Sequence, residues 1–98
     1  MDRQARVIRE TVGGEPYDYR PLGQYVVAAP GVCGGRPTFK YTRLEAAVVL
    51  DLLAAGWAVE EIIRQYANSR LTKASIAEAI RLARLGPSRI DYYSVDDP

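Results

Sequence analysis

The sequence predicts an α+β fold, with short N-terminal β-strands followed by a three-helix helix-turn-helix bundle. Three observations predict it. Six of the eight glycines fall within residues 13–35 and four of the six prolines within residues 16–37, so turns crowd the first half of the chain. The short runs between those turns are aromatic or β-branched, the composition of strands. From Thr42 onward, apolar residues recur at helical spacing between capping and stop signals. With 98 residues, one domain spanning 1–98 is expected, made of a β/turn segment (1–41), three helices (42–86) and an acidic tail (87–98).

In the β segment, Arg6-Val-Ile-Arg9 and Tyr17-Asp-Tyr-Arg20 flank Gly13-Gly14-Glu15-Pro16, which reads as a hairpin around a glycine turn. Tyr25-Val-Val-Ala28 and Pro37-Thr-Phe-Lys-Tyr41 follow as further strands. Thr42-Arg-Leu-Glu45 has the spacing of a capping box and predicts a helix start. That helix runs through Ala54 or Ala55 and stops at Gly56. It is apolar nearly all round, which predicts a central position covered on more than one side. Asp51 interrupts it, facing either an exposed strip or an arginine such as Arg36.

The second helix is predicted over Val59–Ala67, where Val59, Ile62, Ile63 and Tyr66 form an amphipathic stripe. Glu60 and Glu61 suit its first turn and point about 100° apart, so they do not converge as a catalytic pair. Thr72 is a suitable cap for a third helix reaching about Leu85, ended by Gly86-Pro87. Ile76, Ala79, Ile80 and Ala83 face inward there. Lys73, Arg81 and Arg84 lie within an arc of about 80° on the neighbouring face, with Ala77 between them.

The chain has no histidine and a single cysteine, Cys33, which excludes Ser-His and Cys-His catalysis, histidine zinc sites and an internal disulfide. The Gly-rich stretch 30–37 lacks the Gly-Lys-Ser/Thr of a phosphate loop. No enzyme, catalytic residue, metal site or cofactor is therefore expected. No stretch approaches the roughly 20 apolar residues of a bilayer span, and no apolar region follows the first residues, so a cytoplasmic protein without a membrane partner is expected. A net charge of +1 announces no polyanion partner by itself.

Three short helices, the last two joined by Asn68-Ser-Arg-Leu71, match a helix-turn-helix, whose second helix enters the DNA major groove. Thr72, Lys73 and Ser75 would then lie near base edges, with Arg70, Arg81 and Arg84 as phosphate contacts. Tyr25, Val26 and Val27 have the composition of an edge strand that pairs with its equivalent in a second chain, giving a homodimer. Leu82 and Leu85, off the inward stripe, point to a covered surface or to packing against the N-terminal segment.

Val26-Val27, Gly31-Val-Cys-Gly-Gly-Arg-Pro37, Lys40, Thr42-Arg-Leu44 and Leu52-Leu-Ala-Ala-Gly-Trp-Ala-Val-Glu-Glu-Ile-Ile63, with Tyr66 and Leu71-Thr72, together resemble domain-of-unknown-function family 433. The resemblance runs from Tyr25 to Ala83 and leaves the first 24 residues outside it. It implies a bacterial, antitoxin-like protein with a homeodomain-like helix-turn-helix behind a short β segment, paired with a PIN-like nuclease toxin. Three departures carry structural expectations. Tyr41 replaces a glycine, so its backbone avoids positive φ or bears strain. Ala58 replaces a Ser or Thr cap, at a cost of ~1 kcal/mol. The turn from Tyr66 to Leu71 is about two residues longer than usual, which re-aims the third helix.

The function expected from this is a dimeric autorepressor that binds its own promoter as double-stranded DNA and neutralises a cognate toxin protein. Either terminus offers groups for the toxin: Asp91, Tyr92, Tyr93, Asp96 and Asp97, or Arg3, Arg6 and Arg9. The alternative is a protein-interaction adaptor that keeps the three helices without touching DNA.

Overall fold

The computed structural model describes residues 6–85. Arg3, the stop at Gly86-Pro87 and the acidic tail lie outside the described residues.

Gly13 and Gly14 take φ of +60° and +84°, the pair of positive angles that a tight hairpin turn needs and that glycine adopts without strain. They join β1 (Ile8–Val12) to β2 (Glu15–Pro21). β3 (Val26–Ala28) and β4 (Pro37–Phe39) complete an antiparallel sheet in the order β1-β2-β3-β4. Three helices follow: α1 (Ala46–Ala54), α2 (Val59–Gln65) and α3 (Lys73–Arg84). The fold is thus α+β, as the sequence predicts.

The sheet separates two apolar clusters. On one face Val26 and Phe39 join Ala46, Val49, Ile62, Leu71, Ile76 and Ala79 of the helical layer. On the other, Tyr19, Val27 and Ala29 pack with Ile8, Tyr17 and Val32. Successive residues of a strand point to opposite faces, so Val26 and Val27 serve one cluster each.

The expectation that Tyr25, Val26 and Val27 form an edge strand is corrected here. β3 pairs with β2 on one side and β4 on the other, and both valines are fully buried. Its ladder groups are already used, so a second chain has nothing there to pair with.

Two helix expectations also change. Thr42 and Glu45 do not form a capping box: α1 begins only at Ala46, with Glu45 as its cap residue and no side-chain cap bond. Instead the Thr42 hydroxyl donates to the Phe39 carbonyl at 2.7 Å and accepts from the Leu44 N–H at 3.0 Å. Glu45 bridges Thr38 of β4 through the backbone and takes a two-pronged bond from Arg36, both contacts 3.0 Å. Arg36 is therefore spent on Glu45, and Asp51 is exposed. Nor is α1 central. Only Ala46 and Val49 are buried within it, while Val48 and Trp57 are each 37% exposed, because sheet and helices cover it from one side only. It closes at Gly56 as predicted: Gly56 N–H donates to Leu53 and Trp57 N–H to Leu52, both at 3.0 Å, which satisfies the last carbonyls.

At the start of α2, Ala58 supplies no side-chain acceptor, while Glu61 Oε1 accepts from the Ala58 N–H at 2.7 Å. This is half of a capping box. Ala58→Ser supplies the missing acceptor and is expected to raise stability by ~1 kcal/mol, read as a higher urea midpoint with unchanged slope.

Candidate nucleic-acid interface

The segment from Tyr66 to Thr72 sets where α3 starts. α2 ends at Gln65, two residues before the predicted end, and Ala67–Ser69 wind into a single tight 3-10 turn. Arg70 then adopts left-handed backbone, φ +54°, a conformation that costs a non-glycine residue about 1 kcal/mol. It reverses the chain so that Leu71, 5% exposed, drops into the core and fixes the turn. The Arg70 side chain stays exposed.

Thr72 then caps α3 as predicted, but it does so in a reciprocal arrangement with Ser75. Ser75 N–H donates to Thr72 Oγ1 at 3.1 Å, and Thr72 N–H donates to Ser75 Oγ at 3.0 Å. The Ser75 hydroxyl also donates to the Thr72 carbonyl at 3.0 Å, and Ser75 is only 5% exposed. The expected base-reading role of Ser75 is therefore corrected: its hydroxyl is consumed by the cap and turned away from solvent. Thr72 itself is exposed, but its oxygen is engaged in the cap.

Lys73, Ala77, Arg81 and Arg84 are all exposed along one side of α3, in the arc the helical period assigns them. Two of these cations have acidic neighbours. Lys73 Nζ lies 3.6 Å from Glu60 Oε2, and Arg81 Nη2 lies 3.7 Å from Glu78 Oε1. Glu60 is held below the ordinary carboxylate range by its own backbone N–H and then by Lys73. At these exposures the Lys73–Glu60 pair contributes little and gives way readily to another anion.

Glu78, which the sequence reading did not single out, decides the charge of this face. It is the one acidic residue of α3, yet it is 4% exposed and turned toward the sheet. Its carboxylate accepts from the backbone N–H groups of Gln24 at 2.8 Å, Tyr25 at 2.7 Å and Val26 at 2.9 Å. These are the orphan donors at the entry to β3, so Glu78 clamps α3 to the sheet, and the exposed charges that α3 itself carries on its outer side are all cationic, with Glu60 of α2 beside Lys73. Gly23 is part of the clamp, since a Cβ there would collide with the Glu78 carboxylate. The helical period gives no hint of it, since Glu78 stands about 150° from the centre of the inward stripe of Ile76, Ala79, Ile80 and Ala83.

Beside the start of α3 runs an open groove of about 880 Å³, lined among others by Tyr25, Lys40, Tyr41, Arg70 and Ser75. It joins the predicted residues Arg70 and Ser75 to two that were not predicted as site residues, Lys40 and Tyr41. Lys40 Nζ sits 4.9 Å from the Tyr19 ring centroid and 5.1 Å from that of Tyr41, within cation–π reach. Glu10 accepts from the Tyr41 hydroxyl at 2.7 Å and the Tyr19 hydroxyl at 2.8 Å, and these bonds hold its carboxyl below the ordinary range. Tyr41 does bear positive φ, +68°. The strain is offset by its N–H donating to the Tyr17 hydroxyl at 2.8 Å and by its ring packing at 5.3 Å from that of Tyr17. The signal for this cluster was one of two lysines in the chain set between Phe39 and Tyr41.

Among the described residues no helix is long and apolar enough to cross a membrane. No curated protein and no solved structure matches the chain. One family model matches residues 26–83, from the first residue of β3 to within one residue of the end of α3. With more than half its length matched, the chain belongs to the family described as Protein of unknown function (DUF433).

Proposed function

We propose that this protein is a dimeric helix-turn-helix DNA-binding autorepressor of antitoxin type, which occupies its own promoter and neutralises a PIN-like nuclease toxin. The observation that carries the DNA reading is the outer side of α3: Lys73, Arg81 and Arg84 stand exposed around Ala77, while the helix's one acid is folded against the sheet. A net charge of +1 thus hides a local cationic stripe, and counterion release from phosphates is governed by such local charge. Arg70 and Lys73, at the start of α3, stand where a recognition helix meets the duplex, and small Ala77 permits close approach. Arg81 and Arg84 fall one to two turns later, suited to phosphates. Family membership and the three-helix order support the antitoxin reading.

The adaptor reading is favoured by the Lys73–Glu60 pair and by the loss of Ser75 from the exposed surface. One titration separates the two. The full chain is titrated with its upstream DNA and with scrambled DNA at ~50 and ~200 mM salt, where a protein making several phosphate contacts loses orders of magnitude in affinity. The double variant Lys73→Ala, Arg81→Ala is expected to weaken binding about tenfold or more and to flatten the salt slope. Salt-insensitive binding, or none from folded protein, would overturn the DNA reading and leave the three helices as scaffold for a protein partner.

A further inference from the structure

Among the described residues no strand pairs with the outer edge of β1, which presents a row of backbone groups. β1 ends the sheet order. The outer side of β4, by contrast, is closed by the Thr38–Glu45 bridge and by the Phe39 N–H donating to the Leu44 carbonyl at 3.0 Å. Which groups of β1 point outward follows from the hairpin. Val12 and Glu15 close a two-residue turn, so they exchange both backbone bonds, and the pairs alternate from there. Pro16, which has no N–H, accordingly falls opposite Thr11 in a pair that needs none. Residues 8, 10 and 12 therefore bond to β2, and the N–H and C=O groups of Val7, Arg9 and Thr11 point away from the sheet.

Edge strands are ordinarily guarded by lysine, proline, a bulge or charges standing at the edge. β1 has no lysine or proline, and its register with β2 runs without a bulge. Both of its charged side chains are drawn back onto their own sheet. Arg9 grips Asp18 at 2.7 and 2.8 Å, and Glu10 is held by Tyr19 and Tyr41. Val7 and Val12, at the two ends of this edge, are 44% and 40% exposed.

We propose that this edge takes β1 of a second copy of the chain, antiparallel, and that the two sheets become one continuous sheet across the dimer. The inference rests on the dimer named in the proposed function and gives it an interface in place of Tyr25, Val26 and Val27. A two-fold axis normal to the sheet keeps each face on its own side, so a residue meets only positions of its own parity. Centred on Arg9, the pairing opposes two arginines. Centred on Glu10, it opposes two carboxylates, and like charges directly opposite are destabilising. Centred on Val7 or Thr11, it brings no opposite charges together.

Centred on Ile8, however, Arg6 of each copy faces Glu10 of the other, twice over. The two Ile8 side chains then meet in a close, non-bonded pair, and Val7 and Arg9 exchange backbone hydrogen bonds across the axis. Charge complementarity thus selects both the occupant and the register. β1 and β2 both lie wholly outside residues 26–83, so this interface is built on the segment that precedes the family match.

The test is the oligomeric state of the full chain by sedimentation equilibrium at micromolar concentration, beside three variants. Val7→Pro removes an outward donor at two symmetric places without touching the β1–β2 ladder. Arg6→Glu opposes two carboxylates, and Glu10→Arg opposes two guanidinium groups. A dimeric parent is expected, with Val7→Pro and Arg6→Glu each raising the dissociation constant about tenfold or more. Mixing Arg6→Glu chains with Glu10→Arg chains restores the dimer, because each copy again meets opposite charges twice. A monomeric parent would overturn the dimer and this interface together. A dimeric parent whose variants associate unchanged would overturn the interface alone and leave the dimer standing. If Val7→Pro loses its far-ultraviolet dichroism, Arg6→Glu decides alone, since Arg6 is exposed and precedes the strand.

Discussion

Glu78→Ala is expected to destabilise the protein by about 3 kcal/mol, out of a total that for a domain of this size is about 5–15 kcal/mol. The substitution exchanges a small amount of side-chain burial for three backbone N–H groups left without their acceptor. Water reaches the Gln24 N–H, since Gln24 is exposed, but not that of Val26, which is fully buried. Each buried donor left unmade costs about 1–3 kcal/mol, and partial rehydration of the outer two keeps the sum near the lower end. Glu78→Gln keeps the shape and one acceptor oxygen but turns an amide NH₂ toward an N–H group, so roughly half the loss is expected.

Gly23→Ala tests the same clamp from the other side, since its Cβ displaces the carboxylate without deleting it. Urea unfolding of the two single variants and the double variant provides the check. If the clamp is the common cause, the double variant loses markedly less than the two singles added together. Strict additivity, or a Glu78→Ala loss under ~1 kcal/mol, would mean the three hydrogen bonds do not stabilise the fold as argued.

The clamp also marks where sequence reasoning stops. Periodicity and caps are local properties, so the three helices, the Thr72 cap and the Gly56 stop could be read directly, as could the exposure of Lys73, Arg81 and Arg84. Glu78 could not. A glutamate in a helix ordinarily faces solvent, and only strand donors 52 to 54 residues earlier make its burial favourable. Ser75 departs from its expected role for a related reason: its residue type suits base reading, but its hydroxyl is claimed by the cap of its own helix. At Thr42 and Glu45 a sound local motif lost to tertiary partners, Arg36 and the backbone bridge to Thr38. Strand order was likewise out of reach, because three-residue strands such as β3 and β4 carry no signal for which neighbour they take. An edge and an interior strand of that length look alike.

The second large effect is expected at Ile76, where α3 meets the rest of the core. Ile76 is 1% exposed and packs in one cluster with Ile62, Val49, Leu71 and Phe39, so it joins all three helical segments to the sheet. Truncation to alanine removes the transfer energy of three carbons and leaves a cavity that neighbours in contact with β4 and α1 cannot collapse to fill. The expected cost is about 3–4 kcal/mol, a fall in melting temperature of about 15 °C for a domain of this size. Ile76→Val, which removes one methyl, should cost about 1 kcal/mol. Leu85→Ala, at a residue 59% exposed, should stay within about 0.5 kcal/mol. Thermal melts of the three variants give the ordering directly. A melting temperature for Ile76→Ala close to that of Leu85→Ala would mean that α3 is not anchored through this contact. The same variant separates scaffold from interface in the DNA titration. Ile76 contributes no group to the cationic side of α3, so well below its melting temperature Ile76→Ala should bind DNA as the parent does, whereas Lys73→Ala with Arg81→Ala should bind about tenfold or more weakly while melting normally. Affinity lost and stability lost would then fall on different residues of the same helix, as they must if its outer side meets DNA and its inner side only holds that surface in place.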